Sequence, residues 1–333
     1  MPTTYSAVML TRKGGTEALQ IVDLPLEAPG PGQLRVRIRA AGVGSTDLII
    51  LAGKYRFAPK IPLVPGYEAA GVVDAIGSGV TGFRVGQHVA ALTVYGAFAE
   101  YITREAEHFV PVPDGVSDQD AAAVVLNFGT AWQMIHRVAK MRADQTALVT
   151  GAAGGVGIAA LQILRLAGVK AYGAASAAKH ATVRALGATP IDYRAGPLDR
   201  LVRALEPDGV DYAFDAIGGA NIGPCIGAVK RGGTVVGFGF MGAPGTLAQG
   251  AMFANLFLGA RLRGRRGTFY GITLLYRKNP QPLREDLTAI FKLLAEKKLD
   301  PMVSHTFPIL EAAKALDLQA TGSVTGKIVL VGA

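Results

Sequence analysis

Residues 147–176 read Ala147-Leu-Val-Thr-Gly-Ala-Ala-Gly-Gly-Val-Gly157, then Ile158-Ala-Ala-Leu-Gln-Ile-Leu-Arg-Leu-Ala-Gly168, then Val169-Lys-Ala-Tyr-Gly-Ala-Ala-Ser176. The first four residues are a short apolar run of the kind that forms a buried parallel strand. Gly151, Gly154, Gly155 and Gly157 predict a tight turn, and Val156, Ala160, Ile163, Leu164 and Ala167 an apolar helix after it. Gly168 stops that helix and a second strand begins. A strand, glycine turn, helix and strand in this order hold a pyrophosphate on backbone N–H groups at a helix N-terminus. Glycine is needed where backbone must approach phosphate, and again where the helix packs on the strand. The competing reading is an ordinary glycine-rich βα turn. It explains the glycines but not the complete pattern on both sides.

Working outward, short apolar runs at 147–150, 170–175, 190–193, 210–215 and 233–237 alternate with helical segments. That alternation predicts a doubly wound parallel sheet. Before it, about the first 120 residues read as β-rich. Leu34-Arg-Val-Arg-Ile-Arg-Ala40 alternates apolar and basic residues behind the turn Pro29-Gly-Pro-Gly32, and 70–76 and 87–92 are further strands. Residues 120–140 read as helix, as do 284–297 and 310–319, and 327–331 as a closing strand. The expected organisation is an α/β chain. A β-rich part at 1–122 precedes a nucleotide domain at 123–265, and 266–333 returns to the first part. The active cleft is expected between the two, where dinucleotide sites and interdomain pockets coincide.

Composition narrows the classes. The chain has 333 residues, half of them apolar, so it can bury a large core. Cys225 is the only cysteine, which excludes a disulfide framework and a thiolate metal cluster. The opening Met1-Pro-Thr-Thr-Tyr5 has neither a basic nor an apolar leader region, so no secretory signal is expected and a cytoplasmic location is the default. Residues 232–260 carry no charge, but eight glycines and Pro244 argue against a membrane span. They read instead as a strand followed by a cleft-lining loop and helix. The formal charge is +9. Its basic residues are mostly dispersed, with one dense group at Arg261, Arg263, Arg265 and Arg266, short of a nucleic-acid footprint. Attraction of an anionic cofactor and substrate accounts for it without a nucleic-acid partner.

At this point the chain resembles the medium-chain dehydrogenase/reductase superfamily, in its zinc-free quinone oxidoreductase (zeta-crystallin-like) branch. The marks are Ala41-Gly-Val-Gly-Ser-Thr-Asp47, Pro65-Gly-Tyr-Glu-Ala-Ala-Gly71, Val80-Thr-Gly-Phe-Arg-Val-Gly-Gln-His-Val89, Ala152-Ala-Gly-Gly-Val-Gly157, Leu186-Gly-Ala188, Gly209-Val-Asp-Tyr-Ala-Phe-Asp215, Gly232-Gly-Thr-Val-Val236 and Thr325-Gly-Lys-Ile-Val-Leu330. Ala175-Ser-Ala-Ala-Lys-His180 with Ile191-Asp-Tyr193 is similar to the vesicle amine transport protein subgroup. Each mark is weak alone; their order and spacing across nearly the whole chain are specific. The resemblance implies a Rossmann nucleotide domain inserted in a GroES-like catalytic domain, and a homodimer made by joining nucleotide-domain sheets edge to edge.

The resemblance also carries the chemistry. The family's zinc enzymes place a Cys where this chain has Gly44 and a His where it has Tyr67, and the cysteine-rich structural lobe is missing. His88, His108, His136, His180 and His305 show no ligand spacing, so no metal is expected. Without a Lewis acid, reduction of an electron-poor substrate is favoured over alcohol oxidation. An NAD site places an acid at the end of the second strand. Here Ala175 stands there, no acid occurs from 170 to 191, and Ser176, Lys179, His180 and Tyr193 lie near. The family's equivalent Ser, Lys and Tyr hold a 2′-phosphate, so NADPH is the expected cofactor. Thr130, Ala153, Gly154, Gly155, Val156, Phe238, Gly239 and Lys327 are its other implied contacts. The family's cleft Asn and Tyr are replaced by Gly44 and Ile49. Asp47, Tyr55 and Thr130 are the remaining catalytic candidates, although Asp47 serves equally as a helix cap. The expected activity is hydride transfer from NADPH to a quinone or α,β-unsaturated carbonyl. An enoyl-thioester reductase, with the Arg261–Arg266 group meeting a coenzyme A phosphate, and a non-catalytic NADPH-binding structural or RNA-binding protein are the alternatives.

Overall fold

Alternating strands and helices between residues 146 and 269 close into a six-stranded sheet. In sequence order its strands are β8 (Thr146–Thr150), β9 (Lys170–Ala175), β10 (Thr189–Asp192), β11 (Val210–Asp215), β12 (Val229–Gly237) and β13 (Arg266–Phe269). All neighbours pair in parallel, in the order β10-β9-β8-β11-β12-β13. This is the 3-2-1-4-5-6 winding of a dinucleotide fold, with the reversal of strand order between β8 and β11. Its core is aliphatic, with Leu148, Ile191, Val202, Ile222 and Val235 packed together with Cys225. The computed structural model describes residues 3–240, 242–243 and 245–332 of the chain. Pro244, counted against a membrane span, lies outside those residues. Among the described residues no helix is long and apolar enough to cross a membrane.

The β-rich part is built from β1 (Thr4–Leu10), β2 (Leu19–Pro25), β3 (Gln33–Val43), β4 (Glu68–Ile76), β5 (His88–Leu92), β6 (Tyr101–Glu105), β7 (Phe109–Pro111), β14 (Val303–Pro308) and β15 (Lys327–Val331). β1 and β2 form an antiparallel pair. The others form the path β14-β15-β3-β4-β5-β7, with β6 also on β3. β3 explains its own alternation: Leu34, Val36 and Ile38 are buried while Arg37 is exposed. Arg35 is buried too, because its guanidinium meets Asp74 at 2.5 Å.

The chain divides into two compact units, Met1–Gly129 with Thr273–Ala333, and Thr130–Ile272. Boundaries expected at 122 and 265 fall earlier than these. β13 hydrogen-bonds to β12 and so stays with the nucleotide unit, and the first division falls inside helix Asp118–Trp132. The helix expected at 120–140 is α-helical only to Trp132 and continues as a π-helix, Gln133–Ala139, ending at left-handed Lys140. Tyr270 Oη donates to Gln133 Oε1 at 2.7 Å and Tyr212 Oη to the Ala139 carbonyl at 2.9 Å, tethering the widened segment. β12 begins four residues before its predicted start at 233. Val229 pairs with Val210, and the register then jumps to Tyr212 opposite Thr234.

Candidate functional site

In the nucleotide unit, the glycine turn lies at the C-terminal end of β8, beside the reversal of strand order. Gly151 has φ +61° and accepts the Gly154 amide at 2.9 Å. Gly154 is extended and begins helix Gly155–Leu166 with no side-chain cap. The first N–H groups of a helix have no intrahelical partner. Here Gly154 and Gly155 place no side chain before them. Gly157 serves packing instead, since a Cβ there would stand 2.3 Å from the Gly151 carbonyl oxygen. Ala153 is buried beside the turn and Val156 is partly exposed in the first helical turn.

Across the reversal, Asp215 ends β11 and is fully buried. It accepts from Thr150 Oγ1 at 2.7 Å, the Gly218 amide at 2.8 Å and Asn221 Nδ2 at 2.5 Å. Every contact is internal, so Asp215 ties the ends of β8 and β11 together. The Phe238 amide donates to the Asp215 carbonyl at 2.9 Å, and a Cβ on Gly239 would stand 1.8 Å from the Ala216 oxygen. Phe238 and Gly239 therefore stand at the same edge as the glycine turn. Backbone amides, glycine clearance and the absence of blocking side chains fit a dinucleotide.

The residues expected to hold a 2′-phosphate also come together. Ser176 and Lys179 lie in the single turn after β9, with the Lys179 amide on the Ser176 carbonyl at 2.8 Å. His180 Nε2 is 3.3 Å from the Ala175 carbonyl oxygen. Asp192 pairs in register with Ala175, so Tyr193 leaves β10 alongside Ser176. Two further residues lie beside them. Arg194 places its guanidinium over the Tyr193 ring, 5.6 Å from the centroid. Asp192 brings a carboxylate there, with Oδ1 taking the Arg194 amide at 3.0 Å. An acid one position beyond the window 170–191 escaped sequence reasoning, because only strand register brings it beside Ala175.

The other unit holds Asp47, Tyr55 and Lys327. Asp47 is completely buried, with Oδ2 accepting the Gly44 amide at 2.9 Å, the geometry of a helix cap. Its Oδ1 makes no hydrogen bond of normal geometry among the described residues. Lys327 Nζ meets Glu68 Oε1 at 2.5 Å, and Glu68 Oε2 accepts the Leu126 amide at 2.5 Å. One buried ammonium thus serves two buried carboxyls. Burial pushes the Asp47 carboxyl up to about 7; the Gly44 amide and Lys327 pull against that, while Glu68 adds to it. Glu68 was missed at the sequence level except as part of a motif.

Tyr55 belongs to a separate cluster of hydroxyls. Its Oη is 2.5 Å from Tyr67 Oη and 2.8 Å from Thr273 Oγ1, and Tyr67 and Thr273 also touch. Tyr67 and Thr273 are buried, and burial raises the Tyr55 phenol. No local signal points to Thr273, 218 residues from Tyr55. Thr130 lies well inside helix Asp118–Trp132 and is buried, so it does not cap that helix.

A zinc ion needs several thiolate, imidazole or carboxylate donors converging. Gly44 has none, the Tyr67 hydroxyl is engaged, and the nearby carboxyls already face an ammonium. The five histidines meet separate neighbours. His88 lies on Asp118, His108 on Tyr276, His136 on the Trp132 ring, His180 on Ala175 and His305 on Ser304. These residues do not fit zinc.

Two family descriptions match the sequence: an Alcohol dehydrogenase GroES-like domain over residues 30–114, and a Zinc-binding dehydrogenase over 186–330. The Synaptic vesicle membrane protein VAT-1 homolog of Danio rerio is 31% identical over 344 residues, spanning 98% of this chain and 70% of that protein. A Mycocerosic acid synthase-like polyketide synthase of Mycolicibacterium smegmatis is 31% identical over 97% of this chain, which spans 15% of it. The solved Pseudomonas syringae pv. Tomato DC3000 quinone oxidoreductase superposes with a TM-score of 0.89 at 31% identity, covering 98% of this chain and 99% of that one.

Proposed function

We propose, from the premise that this chain belongs to the medium-chain dehydrogenase/reductase superfamily in the branch of quinone oxidoreductases and VAT-1 homologues, that it is a zinc-independent, NADPH-dependent reductase of quinones or α,β-unsaturated carbonyls. Its fold is that of a pyridine-nucleotide oxidoreductase. The observation that carries the finer reading is the hydroxyl cluster of Tyr55, Tyr67 and Thr273, standing at the motif position where the family's zinc enzymes have a ligand. Hydroxyls can hold and pass a proton; they cannot replace a Lewis acid in alcohol oxidation.

The cofactor, when bound, supplies a hydride equivalent. The chain's residues do the rest. Amides at the start of helix Gly155–Leu166 bind pyrophosphate, and Ser176, Lys179 and Tyr193 bind the 2′-phosphate. Tyr55, through Tyr67 and Thr273, holds the proton that completes a two-electron reduction. Asp47, protonated below about pH 7, is a second store of one proton. Its contact with Gly44 also fixes the first turn of helix Ser45–Leu51. Alignment supplies the rate in such a site.

A second reading, enoyl-thioester reduction, is favoured by the similarity to the polyketide synthase segment. NADPH oxidation followed across quinones, enones and enoyl thioesters separates the two. Turnover of quinones or simple enones supports the leading proposal. Turnover confined to thioesters replaces it, and tight NADPH binding with no turnover of any acceptor leaves a binding protein. The cytoplasmic location and the homodimer remain part of this reading, the latter tested by sedimentation.

A further inference from the structure

The first unit has an open cavity of about 270 Å³ whose lining includes neither the hydroxyl cluster nor the buried carboxyls. Its walls include Tyr5, Tyr95, Tyr101, Pro62, Val64 and Ile102, and Arg104 is its one charged lining residue. The guanidinium is held in place from several sides. Nη1 donates to the Thr103 carbonyl at 2.9 Å, Nη2 to the Tyr95 carbonyl at 3.1 Å, and its carbon lies 4.9 Å from the Tyr95 ring centroid. Gly96 makes room for it, since a Cβ there would stand 2.8 Å from Nη2. Tyr5 and Tyr101 meet edge to face, 5.8 Å between centroids.

What the guanidinium lacks is an anion. No carboxylate among the described residues lies within ion-pair distance of it; the groups around it include the phenols of Tyr5, Tyr95 and Tyr276 and the His108 imidazole. A guanidinium has five N–H donors, and two bonds to carbonyls leave donors over. Removing a charge from water without a counterion is costly, and burial lowers the pKa of this group. The cavity is too small for a nucleotide, and a single cation among apolar and aromatic walls does not match a multiply charged phosphate. One negative charge on a flat apolar body matches both.

We propose that this cavity binds a small aromatic carboxylate, the carboxylate on Arg104 and the ring against the tyrosines. The site is independent of hydride transfer, because none of its lining residues belongs to the proposed reductase machinery.

The test is calorimetric titration of the full-length protein with 3-phenylpropanoate, which is saturated and cannot be reduced as an enone. Its neutral isostere 3-phenylpropanamide is the companion probe. The acid is expected to bind saturably and at least about tenfold more tightly than the amide, one charge-assisted contact. Arg104→Met should abolish the difference. Thr103→Phe, which adds bulk at a lining residue while leaving the backbone carbonyl that Arg104 uses, should weaken the acid by a similar factor. NADPH at saturation should leave its affinity unchanged. Equal binding of acid and amide, no binding at millimolar acid, or displacement by NADPH overturns the proposal. So does undiminished affinity in either variant with a native thermal transition. If both variants fail to fold, the acid–amide comparison on the unaltered protein decides alone.

Discussion

Ala175 ends β9 in a methyl group, so in the proposed cofactor site the adenosine 2′ position would meet no acid from that strand, and the cations near it would be Lys179 and Arg194. A charge-assisted bond contributes on the order of 1.5–3 kcal/mol, roughly tenfold or more in affinity. NADPH is therefore expected to bind at least about tenfold more tightly than NADH. Lys179→Ala should erase most of that preference while leaving NADH nearly unaltered, and added salt should weaken NADPH more than NADH. Asp192 opposes the same phosphate, so Asp192→Asn should strengthen NADPH selectively. Fluorescence titration of both cofactors checks all four, and a Lys179→Ala variant weakened equally toward both cofactors removes the assignment. Asp47 gives a different kind of prediction. Its carboxyl is raised from 3.8 to about 7, so from about pH 4 to 7 the folded chain keeps a proton that the unfolded chain has lost. The stability this adds is complete below pH 4 and lost as pH rises through 7, as much as about 4 kcal/mol. Asp47→Asn keeps the shape and the acceptor for the Gly44 amide but cannot titrate. Urea unfolding should show wild type losing stability relative to this variant between about pH 4 and 7 and no further loss above that; parallel profiles would show that Asp47 is ionised throughout.

Helix Gly155–Leu166 separates two uses of glycine that its motif presents as one. Gly157 faces the Gly151 carbonyl, so Gly157→Ala should push helix from strand and lower the melting temperature. Gly155 opens the first turn, where on the proposed reading a side chain would occupy the space of the pyrophosphate. Gly155→Val should keep a native unfolding transition and abolish NADPH binding by calorimetry; normal binding would move the pyrophosphate elsewhere. That helix and the strands around it were legible in the sequence because buried parallel strands are short, apolar and punctuated by glycine. β9 and β11 match their predicted limits for this reason. The π-helix Gln133–Ala139 was not legible, since its tethers come from Tyr212 and Tyr270, far along the chain. Site residues divide the same way. Glycines and the Ser176–Lys179 turn announce themselves within one motif. Thr273 joins Tyr55 and Tyr67 only through the fold, and Asp192 comes beside Ala175 only through the register of β10 on β9.

On the scale of the molecule, the residues able to bind zinc are few and already committed. Five histidines meet five different neighbours, and the single cysteine is buried in the nucleotide unit, its thiol pushed well up by burial and by Asp215. A thiol held protonated is a poor ligand, because the metal binds the thiolate. Asp47 and Glu68 are two buried carboxyls of one unit, and Lys327 lies against Glu68 where a cation would have to sit. Displacing that ammonium would leave it buried and unpaired, a cost of several kcal/mol. Nothing here compensates it with a second strong ligand. Elemental analysis of protein purified without a metal-binding tag should therefore find far less than one zinc per chain. Overnight treatment with a strong chelator should leave both the melting temperature and the rate of NADPH oxidation unchanged. Lys327→Met would take the competing cation away, and a gain of zinc in that variant alone would show that the ammonium is what keeps metal out. Stoichiometric zinc in the unaltered protein, lost together with activity in chelator, would mean that the hydroxyl cluster is not the group that polarises and protonates the substrate.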